Sequence, residues 1–293
     1  MSRENQQMPM RSVPTARQLR LGTELRRLRE RAGLSSTEAG RLLGTNQTTI
    51  SNIEASRLGV SAERLRALAR NYSCADEALI TALIDIAAQR KRGWWEEYRE
   101  ILPTGLLDLA ELEHHAVALR TAYIAHIPGL LQTPEHAREI FRQAVPLLSP
   151  PDIEHRVSHR VKRQAILYRD KPTPYTAIVH EAALRMRFGG PDVARGQLQH
   201  ILDMSEHDHI KVLAIPFDAG SFPSSGQSIL YAVGPVPQLD TVQLDTEHGS
   251  ELLDAPAQLE SYRIVLDRME AVALTERKSR DLIQSIIRAL KGK

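Results

Sequence analysis

The segment LSSTEAGRLLGTNQTTISNIE, residues 34–54, constrains the fold more strongly than any other part of the chain. Two short helical patterns meet there at Gly44, with only a few residues between them. The first begins at Ser35, which is followed three residues later by a glutamate, the spacing of a capping box. The second carries Ile50 and Ile53 at helical spacing for one inner face. This segment therefore predicts two short helices that pack against each other across a tight turn.

Helical patterns also flank this segment. Residues 19–32 place leucines at helical spacing among arginines and stop at Gly33, while Thr45 or Asn46 can cap the second helix of the pair. A further helix is predicted to begin after a cap at Ser61. Four or five short helices within about seventy residues predict a compact all-α domain.

The formal charge is divided unevenly along the chain. Residues 1–70 hold thirteen arginines, no lysine and six glutamates, a charge of +7, whereas residues 71–293 carry −5. This division favours a polyanion as the partner of the N-terminal part, and a solvated arginine-rich helix face is the alternative. The single cysteine, Cys74, excludes an internal disulfide and a cysteine-based zinc finger.

The same composition predicts a soluble, cytoplasmic protein. No apolar run reaches the length of about 18 residues that a membrane span needs, and the opening MSRENQQMPMRS lacks the apolar stretch of a secretory signal. Because the N-terminal part is basic, we expect the protein to be associated with the nucleoid and to have no membrane partner.

Residues 34–54 resemble the helix-turn-helix of the large repressor and Cro-like (XRE) family of bacterial and phage regulators, and the resemblance covers about residues 20–72. In that family the second helix of the pair lies in the major groove, so the implied partner is double-stranded DNA. A polar outer face of a core helix is the alternative interpretation. By this resemblance, the base-reading residues are Gln47, Thr48, Ser51 and Asn52. The residues expected at the DNA backbone are Ser35, Ser36, Thr37, Asn46, Thr49, Arg57, Arg17 and Arg20.

The rest of the chain alternates between helical patterns and short strand-like runs. The runs lie at 174–180, 210–217, 228–233 and 241–247, and the seven residues between the last two suit an antiparallel connection. The predicted fold is an N-terminal all-α helix-turn-helix domain followed by an α+β domain with a small antiparallel sheet. The predicted boundaries are 1–18 for a flexible arm, 19–73 for the helix-turn-helix domain, 74–93 for a linker helix and 94–293 for an α+β regulatory or partner-binding domain.

The order of these pieces resembles the C-terminal domain of many actinobacterial antitoxin-like regulators, which also carry a helix-turn-helix. The likeness runs from about residue 94 to 285 and includes the stretches IPGLLQTPEHAREI, HEAALRMRFGGPDVARGQL and YRIVLDRMEAVALTERKS. Members of that family are often encoded beside a small partner protein. The resemblance therefore implies a regulator whose second domain binds a protein partner or a small-molecule effector.

Histidines at helical spacing raise the question of a metal site. His155 and His159 have the i, i+4 spacing of two zinc ligands, but arginine and lysine residues surround them and no third ligand is evident. We favour a solvated helix face and expect no metal and no cofactor. Phosphate-loop, dinucleotide and nucleophile-elbow patterns are missing from the sequence, so we expect no enzymatic activity.

Six further residues are candidates for an internal network or a pocket. Two of them interrupt an apolar stretch, and two can pair at i, i+4 on the helix after the first predicted strand. We favour a hydrogen-bond network that holds helix to sheet, with a pocket lining as the alternative. The last two are tryptophans, for which packing is favoured over an aromatic ligand box. In this order the residues are Arg163, Gln164, Glu181, Arg185, Trp94 and Trp95.

These patterns together predict a sequence-specific bacterial transcription regulator that binds paired half-sites as a homodimer. The dimer surface is expected in the second domain or the closing helices. An antitoxin-like protein that mainly sequesters a small partner protein is the first alternative, and a sensor gated by a small molecule is the second. One apolar stripe is either the dimer surface or core, namely Leu274, Leu282, Ile283, Ile286, Ile287 and Leu290.

Overall fold

A computed structural model describes residues 14–89, 93–246 and 249–290. The chain divides into two compact units, Met1–Lys91 and Arg92–Lys293. Within the described ranges, no helix combines the length and the apolar character needed to cross a membrane. Most of the predicted arm, residues 1–18, lies outside the described residues, and the first helix already includes its last positions.

The described part of the first unit is all-α, as predicted. Its helices are α1 (Ala16–Arg31), α2 (Ser36–Leu42), α3 (Gln47–Glu54), α4 (Ala62–Asn71) and α5 (Glu77–Ala88). Each begins at a side chain that accepts a hydrogen bond from a backbone N–H of the first turn, which is worth about 1 kcal/mol per helix. The caps of α2 and α4 were predicted, and Asn46 rather than Thr45 caps α3. In chain order the capping residues are Thr15, Ser35, Asn46, Ser61 and Asp76.

Two glycines let the helices of the first unit approach α3 closely. A Cβ added at Gly40 of α2 would lie 2.8 Å from the carbonyl carbon of Asn46, and one at Gly22 of α1 would lie 2.2 Å from the carbonyl oxygen of Glu54. Neither position can hold a larger residue unless the backbone shifts. Both ends of α3 are thus fixed by backbone-to-backbone packing.

The second unit contains a six-stranded sheet. Its strands are β1 (Ala118–Tyr123), β2 (Tyr175–His180), β3 (Ile210–Ile215), β4 (Ile229–Val233), β5 (Thr241–Thr246) and β6 (Gly249–Leu253), in the spatial order β3-β2-β1-β4-β5-β6. The β1–β2 and β2–β3 pairs are parallel, and the other pairs are antiparallel. The α+β class is confirmed, but the expectation of an antiparallel sheet was wrong. Long helical crossovers precede β2 and β3, and such connections produce parallel neighbours.

Seven α-helices accompany this sheet in the described part of the second unit, and helices pack on both of its faces. They are α6 (Thr104–His115), α7 (Pro134–Arg142), α8 (Pro150–Arg163), α9 (Glu181–Arg185), α10 (Gly190–Met204), α11 (Pro256–Val272) and α12 (Glu276–Leu290). Thr133 and Ser149 cap α7 and α8, and each of these helices begins with a first-turn proline.

The apolar residues of the strands are divided between two cores. Leu119 and Val179 belong to the core that contains α10 and α12, whereas Ile178 and Leu213 belong to the core beneath α11. The apolar stripe of the chain's last helix lies in the first of these cores, where Ile283 is fully buried. That stripe is therefore core rather than a free dimer surface.

A third cluster, formed around a 3₁₀ turn at Trp94–Tyr98, covers one side of α8. His159 is only 2% exposed there, and its ring lies 5.2 Å from the rings of both Trp94 and Tyr98. The expectation of a solvated face was wrong for His159, because the aromatic turn shields it, while His155 is half-buried. Burial and the charges of neighbouring arginines lower the pKa of His159 to about 3.

Replacing His159 by phenylalanine should make the second unit less sensitive to acid. Folded His159 stays neutral down to about pH 3, whereas the unfolded chain binds this proton below about pH 6.5. The wild type should therefore lose about 2 kcal/mol of stability at this residue between pH 7.5 and pH 5, and His159→Phe should not. Urea unfolding followed by tryptophan fluorescence measures this, because both tryptophans lie in the second unit.

The matched control is His207→Gln, because His207 is exposed and its side chain meets water in both states. This variant should keep the pH dependence of the wild type. If His159→Phe keeps it as well, His159 is not the buried neutral group described above.

Candidate nucleic-acid interface

The outer face of α3 presents a row of polar side chains to solvent. Gln47, Thr48 and Ser51 are exposed and Asn52 is half-buried, whereas the isoleucines on the opposite side of the helix are buried. None of these four polar side chains forms a hydrogen bond with another described residue. Their donors and acceptors are therefore free to meet the edges of bases. These are the residues that the sequence predicted as base-reading.

The predicted backbone contacts at the starts of α2 and α3 have structural roles as well. The Ser35 hydroxyl donates to Glu38 Oε2 at 2.6 Å and accepts from the Glu38 N–H, so it belongs to the capping box. Asn46 Oδ1 accepts from the N–H and the hydroxyl of Thr49, at 2.9 and 3.0 Å. Next to these caps, Ser36 is half-buried and Thr37 is exposed in the first turn of α2. The helix N-termini remain suited to an anion, because their first N–H groups point out of the helix.

The three predicted backbone arginines lie in different surroundings. Arg57 is exposed two residues after the C-cap of α3, and its N–H donates to the carbonyl oxygen of Asn52 at 2.8 Å. Arg17 is half-buried in the first turn of α1. Arg20 is buried, and its Nε lies 3.0 Å from Glu24 Oε1. Of the three, Arg57 is therefore the one whose side chain is open to solvent.

A buried ion pair joins the end of α3 to the end of α1. Arg29 Nε and Nη2 donate to the two carboxylate oxygens of Glu54 at 2.6 and 3.0 Å, and Nη1 donates to the carbonyl oxygen of Leu34. The hydrogen bond to Glu54 raises the pKa of Arg29. The sequence indicated Glu54 as the end of the motif but gave no partner for it, because 25 residues separate the two.

The candidate residues of the second unit belong to internal contacts at separate places. Arg163 Nε and Nη2 donate to the Glu113 carboxylate at 2.7 and 2.6 Å in the interior, and Gln164 Nε2 donates to the Gln132 carbonyl oxygen at 2.7 Å. Both contacts fit the internal network that the sequence analysis favoured over a pocket lining.

The predicted pair on α9 is formed at the end of β2. Arg185 Nη2 lies 2.6 Å from Glu181 Oε1, and Glu181 Oε2 also accepts a hydrogen bond from the N–H of Phe217 at 2.9 Å.

The two candidate tryptophans lie in the third cluster, where Trp95 is buried and Trp94 packs against it. Their positions fit the packing interpretation of the two tryptophans.

The short α2–turn–α3 unit and its open polar face define a helix-turn-helix DNA-binding domain. Residues 20–83 match the family described as a helix-turn-helix domain. Residues 106–285, more than half of the chain, match the family described as a domain of unknown function (DUF5753), and the chain belongs to that family. No curated protein and no solved structure matches the chain.

Removing the carboxylate of Glu54 should strongly destabilise the first unit. Glu54→Ala removes both hydrogen bonds that the buried Arg29 donates to a carboxylate and leaves it only the half-exposed Glu30, 3.7 Å away, and breaking a buried pair costs about 3–5 kcal/mol. Amide hydrogen exchange of the full chain, read by mass spectrometry on peptides from α3, measures the loss of protection.

The matched control is Arg26→Ala, which breaks the exposed Arg26–Glu30 pair on α1 and leaves the acidic neighbours of Arg29 in place. The side chains of Arg26 and Glu30 are 63% and 51% exposed, against 10% for each partner of the Arg29–Glu54 pair. Solvent screens an exposed pair, so exchange in α3 should change little in this control. Equal effects of the two variants would contradict the structural role given to Glu54.

Proposed function

We propose that this protein is a sequence-specific transcription regulator that places α3 in the major groove of double-stranded DNA. The observation that carries the proposal is the free polar face of α3 on a helix whose inner side is fixed in a core. Gln47 and Asn52 carry amides that can pair with adenine through two hydrogen bonds. Thr48 can offer its methyl group to thymine.

The phosphate contacts in this proposal come from the residues that surround α3. Arg57 follows the helix with an exposed guanidinium, and the first turn of α2 offers Ser36, Thr37 and free N–H groups. The formal charge of +7 on residues 1–70 supports a polyanion as the partner of this unit.

We further propose that the protein binds as a homodimer to two half-sites about one helical turn apart, as repressor and Cro-like regulators do. The second unit then supplies dimer contacts and a binding site for an effector or partner. The sequence likeness to antitoxin-like regulators of actinobacteria supports this arrangement, with a regulator that acts at the nucleoid and has no catalytic activity.

Truncating the base-reading amides should weaken specific binding alone. Gln47→Ala and Asn52→Ala should each raise the free energy of binding to the operator by about 1–3 kcal/mol, because each loses a paired contact with a base. Binding to random duplex should change little. Fluorescence anisotropy with both duplexes at one salt concentration tests this, and an equal loss on both would remove these residues from base reading.

Truncating Arg57 should instead weaken binding to every sequence alike. The slope of log Kd against log salt concentration should fall by about one unit, since one phosphate contact is lost. Arg70→Ala is the matched control, because Arg70 is exposed on α4 and carries none of the proposed contacts. A slope that is unchanged in Arg57→Ala would contradict the proposed contact.

A further inference from the structure

A group of polar side chains in the second unit lies near the ends of β1 and β5. Both strands are antiparallel to β4, so their carboxyl ends share one edge of the sheet. Tyr123 at the end of β1 places its hydroxyl 3.5 Å from Asp245 Oδ2 on β5. Tyr123 keeps some accessible surface, although burial raises its pKa well above the ordinary value. Tyr123 is half-buried and Asp245 is exposed, so solvent and small solutes can reach this pair of side chains.

The guanidinium of Arg160 is close enough to Tyr123 and Asp245 to feel their charges, and two neighbours hold it in place. Its Nη1 donates to Gln132 Oε1 at 2.6 Å, and its Cζ lies 5.0 Å from the centre of the Phe141 ring. The amide of Gln132 is itself fixed, because it is buried and its Nε2 donates to the Ile127 carbonyl oxygen at 2.6 Å. A Cβ added at Gly129 would lie 3.0 Å from Nη1, so the glycine leaves room for the guanidinium.

Arg160 has no ion-pair partner among the residues for which the structure gives a position. The nearby Glu113 is already bonded through both oxygens to Arg163, and Asp245 Oδ1 accepts from Gln243 Nε2 at 2.7 Å. Arg160 is half-buried, and burial with the charge of Arg163 lowers its pKa to about 10. A positive charge that is largely removed from water without a counter-ion attracts an anion.

A second observation in the same place also indicates a missing partner. His136 on α7 is 2% exposed, and neither of its ring nitrogens has a hydrogen-bond partner among the described residues. Burial and the charges of His126 and Arg160 lower the pKa of His136 to about 4. His126 stacks on Phe188 with ring centres 5.6 Å apart, and the His136 ring meets the same phenylalanine edge-on. The protein thus leaves polar atoms unsatisfied around Arg160, which is unusual in a native interior.

We propose that the site formed by Tyr123, His126, Gln132, Arg160 and Asp245 binds a small molecule that carries a carboxylate or phosphate group. The oxyanion pairs with the remaining N–H groups of Arg160, whose planar fork fits either group with two hydrogen bonds. The Tyr123 hydroxyl turns its single O–H from Asp245, a long contact of 3.5 Å, to the oxyanion, and Asp245 then accepts from a hydrogen-bond donor elsewhere on the same ligand. The inference does not depend on DNA binding, because all five residues belong to the second unit.

The test is thermal unfolding of the full chain followed by tryptophan fluorescence, which reports on the second unit. Unfolding is compared in sodium chloride, sodium phosphate and sodium succinate at equal ionic strength and pH. A ligand that binds the folded state raises the midpoint with concentration, so phosphate or succinate should raise it above chloride. Because phosphate also stabilises folded proteins without binding, only the part of the rise that Arg160→Gln removes counts as binding. If that part occurs in phosphate alone, the recognised group is a phosphate, and if it occurs in succinate alone, the group is a carboxylate.

The variants Arg160→Gln and Arg195→Gln locate the effect. Arg195 lies on α10 and pairs with Asp192 at the surface, so its variant should keep the full rise in midpoint. Arg160→Gln should lower the rise well below that of Arg195→Gln, because only the general effect of the salt then remains. Tyr123→Phe retains the ring and serves as the second variant if Arg160→Gln does not fold, and it should weaken binding by about tenfold, as the loss of one hydrogen bond to a charged group implies.

Two results would overturn the proposal. The first is a wild-type midpoint that is the same in all three salts. The second is a rise that persists unchanged in Arg160→Gln, or in Tyr123→Phe where that variant replaces it. Neither result bears on DNA binding by α3, so this inference and the proposed function can fail separately.

Discussion

The packing of one short helix controls the properties of the first unit. An isolated helix of eight residues is not stable in water, so α3 persists only because its neighbours hold it. Gly22 and Gly40 allow α1 and α2 to reach its backbone, and the Arg29–Glu54 ion pair fixes its C-terminal end. The inner isoleucines contribute about 1.5–3 kcal/mol each by burial. With its inner face and both ends fixed, α3 can leave its outer polar groups free.

The second unit follows a different physical design. Its sheet is covered on both faces, and α7 and α8 lie in the crossover that makes β1 and β2 parallel. That arrangement places charged and polar side chains inside the unit. Arg163 is satisfied there by a bidentate carboxylate, whereas Arg160 is held by an amide and an aromatic ring. Arg163 therefore belongs to a structural ion pair, whereas Arg160, three residues earlier, belongs to the proposed ligand site.

Local patterns in the sequence predicted much of the fold, and the structure departs from them where distant segments meet. The caps at Ser35 and Ser61 and the burial of Ile50 follow from a few adjacent residues, and all three are confirmed. The partner of Glu54, the shielding of His159 and the role of Arg160 depend on residues far away in the chain, so spacing alone could not reveal them. The edge strand β6 was missed because its residues are mostly exposed and lack an apolar run. The mixed sheet was missed because strand order is not encoded in strand-like runs.

The central claim is that α3 reads a specific DNA sequence, and selection from a random duplex library by the purified full chain at near-physiological salt tests it most directly. The account predicts a sharp, partly palindromic motif with two half-sites about one helical turn, 34–36 Å, apart. Enrichment that depends on salt but yields no motif would contradict base reading by α3, because phosphate contacts alone carry no sequence information.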